Sequence, residues 1–364
     1  MAVDPLLSSD LLPIPCVWMR GGTSKAAFFQ AEHLPTDPAE RDRVLLAAMG
    51  GPDSRQIDGI GGGTPLTTKV AIISRSAERE GQIDYLFGQV VIGENRIDYA
   101  PTCGNILAAV APFALEQGLI AASDPETPVR IRMVNTDAFC QAVIQTPGGR
   151  VRHGGTVRIS GVPTPGAPIE LRFADIAGSS CGALYPTGNY LDVINEAEVT
   201  CIDNGMPVVL LRAQDLGISG YESPEQLDAN APLKERLEAI RLAAGPLMGL
   251  GDVSRRVVPK MTLIAPPREG GALSTRTFIP HKCHDAIGVL GAASVATAVV
   301  QSGTVCATVA QSFPSAGRQD VSVEHPTGEF TIRLTLSGDT EPPAVALLRT
   351  ARPLFSGTVL VPLP

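Results

Sequence analysis

Most of the chain consists of short apolar segments that are rich in β-branched residues and bounded by glycine or proline. Segments of this kind are typical of β-strands rather than helices. The pattern predicts strands at residues 70–74, 83–92, 129–133, 151–159, 207–212, 261–265, 304–309, 329–336, 344–349 and 357–363. The chain is therefore expected to be built mainly from β-sheet.

Four longer segments have the spacing of helices, at residues 37–49, 104–116, 223–244 and 286–300. The second and fourth are nearly all apolar or small, and a helix without a polar face must be buried on every side. They lie about half a chain apart, and each is entered through a polar, turn-like segment, PTCGN at 101–105 and HKCHD at 281–285. This arrangement suggests an internal duplication.

The pattern predicts an α+β fold of two similar domains, each with a curled sheet around one buried helix, and a cleft between the domains. The first domain is expected at residues 13–180, around the helix at 104–116. The second is expected at residues 181–364, around the helix at 286–300. In an alternative arrangement, the last strands return to the first domain. A length of 364 residues agrees with two domains of ordinary size.

Charge and composition exclude several classes of protein. The chain has 29 Lys and Arg against 37 Asp and Glu and no basic runs, which argues against nucleic acid and anionic membranes as partners. No apolar stretch reaches the roughly 20 residues of a membrane-spanning helix. The N-terminus lacks the features of a secretory signal, so a cytoplasmic protein is expected. The 7 cysteines include no C-x-x-C pair and fit neither a disulfide framework nor a zinc ribbon.

The motifs for common cofactors are incomplete. In DGIGGG at 58–63, Thr64 follows where a dinucleotide loop needs its third glycine, and RGGTSK at 20–25 lacks the Gly-Lys pair of a phosphate loop. His281, Cys283 and His284 are candidate metal ligands, but they are too closely spaced to face one ion without an irregular backbone. No cofactor and no metal are therefore expected.

Two residues are candidates for chemistry. Cys103 directly precedes the buried helix, where unpaired N–H groups and the helix dipole stabilise a thiolate or a bound carboxylate. A core thiol that merely happens to precede a helix is the alternative. Lys69 opens an apolar strand after a glycine-rich turn and lies either at a rim or in a cleft. In a cleft, partial burial would lower the pKa of this lysine toward the range of a general base.

Several stretches of the sequence resemble the PrpF-like (methylaconitate isomerase) family. They are PCVWMRGGTSKAAFF at 15–29, RQIDGIGG at 55–62, LTTKVAII at 66–73, DYLF at 84–87, CGN at 103–105 and YPTGN at 185–189. Within this family, the chain is most similar to the 4-oxalomesaconate tautomerases of aromatic-acid degradation. The resemblance runs in order from about residue 13 to the C-terminus.

The resemblance implies a diaminopimelate-epimerase-like fold, in which two similar domains each wrap a β-barrel-like sheet around a central helix and hold the active site between them. It also implies cofactor-independent proton transfer between carbons of a small polycarboxylate, with Lys69 and Cys103 at the catalytic positions. Substrate contacts are expected from Arg20, Ser24, Thr68, Gly104, Asn105, Thr187, Asn189, Lys260, Arg276, Ile287 and Gly288.

Some of these assignments have alternatives. Thr187 and Asn189 could instead form the Pro-Thr-Gly turn, and Lys260 and Arg276 could be surface charges. Epimerases of the same fold place a second thiol at the entry of the other helix. Cys283 stands slightly too early for that position, so the two-thiol arrangement is expected to be lost.

The resemblance implies an isomerase that moves a proton and a double bond, by 1,3-allylic or keto-enol tautomerisation. The expected substrate is 4-oxalomesaconate or a close unsaturated di- or tricarboxylate from the degradation of gallate, protocatechuate or lignin-derived acids. The alternative within the enzyme class is an aconitate or methylaconitate double-bond isomerase. The alternative outside it is a non-catalytic accessory protein of an iron–sulfur hydratase. The other partner considered is a second copy of the chain, which would form a homodimer.

Overall fold

The computed structural model describes residues 10–100, 103–173, 176–314, 316–336 and 342–362. The chain divides into two compact units. The first comprises Met1–Arg172 together with Arg349–Pro364, and the second comprises Phe173–Leu348. Within the described ranges, no helix combines the length and the apolar character needed to cross a bilayer.

Strands far outnumber helices. The strands are β1 Leu11–Gly21, β2 Ser24–Gln30, β3 Lys69–Arg75, β4 Gln82–Val90, β5 Ile97–Asp98, β6 Glu126–Met133, β7 Ala138–Gln145, β8 Ile169–Phe173, β9 Asp192–Ile194, β10 Ala197–Asp203, β11 Pro207–Arg212, β12 Lys260–Ala265, β13 Leu273–Phe278, β14 Gly317–His325, β15 Gly328–Leu336, β16 Ala344–Arg349 and β17 Ala351–Pro362. The helices are α1 Pro38–Met49, α2 Gly104–Glu116, α3 Pro224–Ala229, α4 Ala231–Leu247 and α5 Val289–Val300. The α+β class predicted from the sequence is confirmed.

The sheet of the first unit mixes parallel and antiparallel pairs. Strand β1 pairs antiparallel with both β17 and β2, β2 is parallel to β3, and β3 is antiparallel to β4. Strand β4 is parallel to β6, and β6, β7 and β8 continue antiparallel. The parallel pairs require crossover connections, which α1 and α2 supply.

The two helices of the first unit pack on opposite faces of this sheet. Helix α1 packs in a core cluster with Val70 and Ile72 of β3. Side chains alternate along a strand, so Lys69, Ala71 and Ile73 lie on the other face. Helix α2 contacts β1, β2, β3 and β4, and all its residues from 106 to 114 are buried. Ring contact between Phe28 of β2 and Phe113 of α2 fixes this second face as the inner one.

The second unit has the same order of strand directions. Strands β10 and β11 are antiparallel, β11 and β12 parallel, β12 and β13 antiparallel, β13 and β14 parallel, and β14 to β16 antiparallel. Helices α3 and α4 make the first crossover and α5 makes the second. Met261 and Leu263 of β12 pack in one core cluster with α4 residues Leu237 and Ile240. Thus β12 and α5 stand in this unit where β3 and α2 stand in the first.

Some predicted elements differ from the structure. The strand predicted at 151–159 is wrong, because this glycine-containing segment makes only an isolated bridge between Val157 and Gly166. The strand predicted at 304–309 is a short 3-10 turn, Val305–Thr308. The helix predicted at 223–244 is two helices, which meet at Asn230.

The second buried helix starts later than predicted. It was expected from residue 286, but α5 begins at Val289 because the backbone of Gly288 is extended, with φ −67° and ψ 147°. Residues 101, 102 and 363, which belong to a predicted helix entry and a predicted strand, lie outside the described residues.

Candidate active site

Lys69 is the first residue of β3 and projects from the inner face of the first unit's sheet. Its neighbours across the sheet are Ala26 on β2 and Gln89 on β4. The Lys69 Nζ donates a hydrogen bond of 2.6 Å to the Gln89 Oε1 and lies 5.3 Å from the centre of the Phe87 ring. Only 8% of this lysine is exposed. The structure therefore places Lys69 inside the unit rather than at a rim.

The surroundings of Lys69 favour its neutral form. Burial lowers the pKa of the Lys69 ammonium below its usual value, and the negative charge of a Cys103 thiolate opposes that shift only in part. A lysine with a lowered pKa offers more free amine near neutral pH and is a better general base.

Cys103 occupies the N-cap position of α2. Its backbone is extended, with φ −133° and ψ 100°, and no side chain among the residues that the structure describes caps the helix. The first N–H group bonded within the helix is that of Leu107, which donates to the Cys103 carbonyl at 2.9 Å. The N–H groups of the preceding turn, including Gly104 and Asn105, have no capping side chain and are suited to bind an anion.

Two buried hydroxyl groups on the inner face have no hydrogen-bond partner among the described residues. They belong to Ser24, at the start of β2, and to Tyr85, which shares its face of β4 with Phe87 and Gln89. Burial, and then the charge of Cys103, raises the pKa of Tyr85. An unsatisfied buried hydroxyl costs roughly 1–3 kcal/mol, so such groups mark where a polar ligand or water belongs. Tyr85 was missed in the sequence, although the alternation in DYLF at 84–87 could have indicated its inward direction.

Asn105 is held against the turn between β1 and β2. Its Nδ2 donates to the Thr23 Oγ1 at 3.0 Å. Gly22 has φ +52°, and a Cβ atom there would lie 2.2 Å from the Asn105 Oδ1. A Cβ atom on Gly21 would lie 2.4 Å from the Asn105 carbonyl oxygen. The two glycines of the RGGTSK motif therefore allow this turn to approach the helix N-terminus.

Arg20 and Thr68, both predicted substrate contacts, are engaged with the protein itself. The Arg20 guanidinium donates to the carbonyl oxygens of Gly22 and Thr350 at 2.8 and 2.9 Å, and to the Thr350 hydroxyl at 3.1 Å. The Thr68 hydroxyl accepts a hydrogen bond from the Gln56 side chain. These contacts show how both residues support the backbone around the site.

Lys260 and Arg276 lie in the second unit, where Lys260 is buried and Arg276 is partly buried. Lys260 opens β12 and is only 9% exposed, and burial, then the Arg241 charge, lowers its pKa. No hydrogen-bond partner of its ammonium occurs in the part of the chain that the structure describes. The Arg276 guanidinium donates to the carbonyl oxygens of Glu222 and Thr275 at 2.7 and 2.8 Å.

Thr187 and Asn189 form a turn with Asp192. The Thr187 hydroxyl donates to the Asp192 Oδ2 at 2.7 Å, and the Asn189 Nδ2 donates to the Asp192 Oδ1 at 2.8 Å. The turn interpretation left open by the sequence therefore describes both side chains.

Gly288 is the N-cap of α5, as Cys103 is of α2, and no side chain caps that helix either. A Cβ atom on Gly288 would meet no atom within 4 Å, whereas Ile287 is 2% exposed. Cys283 precedes Gly288 by five positions, and its N–H donates to Asp228 at 2.7 Å. Burial, then the charge of Asp228, raises the pKa of Cys283 to about 12. No thiol therefore stands at the N-cap of α5.

The candidate metal ligands around residue 283 do not form a site. Among the described residues, no group of three or more His, Cys, Asp or Glu side chains is arranged to hold a metal ion. The His284 Nδ1 accepts a hydrogen bond of 2.8 Å from the Ala286 N–H and so shapes the entry to α5.

Comparison with known proteins gives consistent matches. The PrpF protein family model matches residues 11–362. A 4-oxalomesaconate tautomerase of Pseudomonas putida is 56% identical over 348 residues, which cover 96% of both chains. A (4E)-oxalomesaconate Delta-isomerase of a Novosphingobium species is 55% identical, covering 95% of this chain and 97% of its own. The crystal structure of a methylitaconate-delta-isomerase matches with a TM-score of 0.83 and 32% identity, covering 97% of each chain.

Proposed function

The chain belongs to the PrpF family and is an isomerase, and on this premise we propose that its substrate is 4-oxalomesaconate or a close unsaturated polycarboxylate. The reaction is a 1,3-allylic or keto-enol tautomerisation in the degradation of aromatic acids. One proton leaves a carbon and one is returned to another atom of the same substrate, so the reaction balances without an oxidant, a reductant or a cofactor.

The observation that carries the proposal is the pairing of a buried lysine with an uncapped helix N-terminus. Lys69, as the free amine, removes the proton next to the conjugated system, and Cys103 is the partner acid or stabiliser. The dienolate that forms carries negative charge on oxygen, and preorganised N–H donors lower the barrier to its formation. Gly104 and Asn105 supply such donors, and the unpartnered hydroxyl of Ser24 offers one more.

The same proposal extends to the second unit. Its strand order supports a diaminopimelate-epimerase-like repeat, in which Ile287 and Gly288 at the entry to α5 correspond to the Cys103 end of α2. We assign Gly288 and Lys260 to substrate binding. Roles for Arg20, Thr68, Thr187, Asn189 and Arg276 remain predictions.

A double-bond isomerase acting on a smaller substrate is the second candidate. The similarity to the methylitaconate-delta-isomerase over 97% of each chain favours it, because the substrate in that protein's name is a smaller dicarboxylate. A panel of unsaturated di- and tricarboxylates separates the two candidates.

Proton NMR in D2O tests the reaction. The enzyme should introduce deuterium at carbon and convert 4-oxalomesaconate faster than methylitaconate, methylaconitate or aconitate. A protein that exchanges no carbon-bound proton in any of these substrates is not an isomerase of this type. Preference for aconitate, methylaconitate or methylitaconate would select the second candidate.

Variants test the residues. Lys69→Met should lower kcat by about 10²- to 10⁴-fold, since a positioned acid–base group contributes that much. Cys103→Ser should slow the reaction while the fold and substrate affinity are kept. Cys283→Ser is the matched control and should be active, because Cys283 lies outside the N-cap of α5. An inactive Cys283→Ser beside normal turnover by the other two variants would refute the assignment.

A further inference from the structure

We propose that Gln89 is a positioning residue for proton transfer. It holds the Lys69 side chain through an uncharged acceptor, so that Lys69 can act as a base. This inference rests on the proposed function of Lys69. Gln89 belongs to neither the motifs nor the substrate contacts predicted from the sequence.

The orientation of the Gln89 amide is determined by the backbone. Its Nε2 donates to the Thr68 carbonyl oxygen at 3.0 Å and approaches the Val90 carbonyl oxygen at 3.4 Å. With the nitrogen held there, the Oε1 must face the opposite residue of β3, and it accepts from the Lys69 Nζ at 2.6 Å. This contact uses one N–H of the amine and leaves its lone pair free to take a proton.

The charge of the acceptor matters because few other charges act on Lys69. The titratable groups on its side are Cys103 at the N-cap of α2, Tyr85 of β4, and Asp98 of β5, which pairs with Gln89. Of these, only the Cys103 charge affects Lys69 appreciably. From β2 the neighbours on this face are Ser24 and Ala26, which are uncharged. A glutamate at position 89 would hold the same contact but would stabilise the ammonium form, whereas the amide does so only weakly.

The internal repeat shows that the fold itself does not require this amide. Lys260 stands on β12 as Lys69 stands on β3, between a parallel and an antiparallel neighbour, and is equally buried. Because Met261 pairs with Phe278, the position opposite Lys260 is Ile279, which has no acceptor side chain. Of these two lysines, Lys69 alone faces a glutamine, and it belongs to the repeat that also places a thiol at its helix N-terminus.

Two variants test the proposal through the titration of Lys69 itself. Acylation of Lys69 by acetic anhydride, followed by peptide mass spectrometry across pH, reports the fraction of free amine without any turnover. Gln89→Glu should raise the pH at which half of Lys69 is free amine, the midpoint, by about one to three pH units. Gln89→Met should move it down, because the ammonium loses its acceptor. Gln82→Glu is the matched control. It adds a carboxylate to β4 beside Arg130, about 23 Å along the strand, and should leave the midpoint unchanged.

Kinetics then separate positioning from charge. In Gln89→Glu, the acid limb of the pH profile of kcat/KM should shift by the same amount as the midpoint of Lys69 acylation. At a pH where Lys69 is fully deprotonated, Gln89→Met should still have a kcat about tenfold or more below wild type with a similar KM, because the amine is no longer held.

Each variant decides the question separately. A Lys69 midpoint within about 0.3 pH unit of wild type in either variant, or full kcat in Gln89→Met at high pH, would overturn the proposal. If the midpoints shift as expected but the wild-type protein isomerises no polycarboxylate, the control of Lys69 by Gln89 stands and the proposed function fails instead.

Discussion

Glu324 of β14 provides a sharp test of how the second unit is stabilised. Its side chain is 5% exposed and accepts four hydrogen bonds. The N–H groups of Glu269 and Gly271 donate to Oε1 at 2.7 and 2.8 Å. The Arg268 N–H and the Ser274 hydroxyl donate to Oε2 at 2.8 and 2.6 Å. One carboxylate thus organises the whole turn between β12 and β13.

Glu324→Gln keeps the shape of the side chain but replaces one oxygen by a donor. The amide group fits best at the Oε2 position, because the Ser274 hydroxyl can rotate to accept from it, yet the Arg268 N–H then faces another donor. An unsatisfied buried N–H costs about 1–3 kcal/mol, and the remaining bonds lose their charge assistance. We therefore expect the free energy of unfolding to fall by about 2–5 kcal/mol.

Urea unfolding followed by circular dichroism at pH 7 measures this loss. Glu329→Gln on the neighbouring strand is the matched control. Among the described residues, its carboxylate accepts only from the hydroxyls of Ser322 and Thr331, which can reorient. The control should change stability by less than about 1 kcal/mol. Equal losses in the two variants, or a loss below about 1 kcal/mol in Glu324→Gln, would refute the reasoning.

The same carboxylate predicts a pH dependence. Burial raises the pKa of Glu324, whereas the hydrogen bonds from Arg268, Ser274, Gly271 and Glu269 lower it. The hydrogen bonds together have the larger effect, so the pKa lies below its usual value. A depressed pKa stabilises the folded state above the unfolded value of about 4.3, and that contribution is lost as the pH falls through the folded value. The difference in the free energy of unfolding between wild type and Glu324→Gln should therefore become smaller below about pH 4.

Three further outcomes are expected. Arg241 is fully buried, donates to three backbone carbonyls and forms an ion pair with Glu238. Arg241→Met should therefore lower the free energy of unfolding by about 3–5 kcal/mol. Arg236→Met, on the exposed face of the same helix, should change it little in the same urea assay. Gly22→Ala should reduce kcat/KM because its Cβ would collide with Asn105, while Gly81→Ala has the same backbone strain in open space and should not. Dialysis against a strong chelator should leave isomerisation in the NMR assay unchanged, and recovery with one specific metal ion after a loss would contradict this.

Local pattern was sufficient for several elements. The strands at 207–212 and 344–349 and the helix at 104–116 have the bounds predicted from the sequence. Their signals are short-range, since a run of β-branched residues or an apolar helix between turn residues depends little on distant partners. In contrast, β1 was not predicted, because Pro13 and Pro15 interrupt it. Those prolines are tolerated since this part of β1 pairs only with β17, at the other end of the chain.

The candidate site divides in the same way. The sequence determined that Cys103 precedes a helix and that Lys69 opens a strand, because both are statements about adjacent residues. Only the tertiary structure decided that Gln89 faces Lys69, that Tyr85 is buried beside the same helix, and that Arg20 is bound to Thr350, 330 positions away. These contacts depend on strand register, which is set by which face of each strand packs against which helix. The register depends on the hydrophobic core as a whole, so it cannot be predicted from a local sequence pattern.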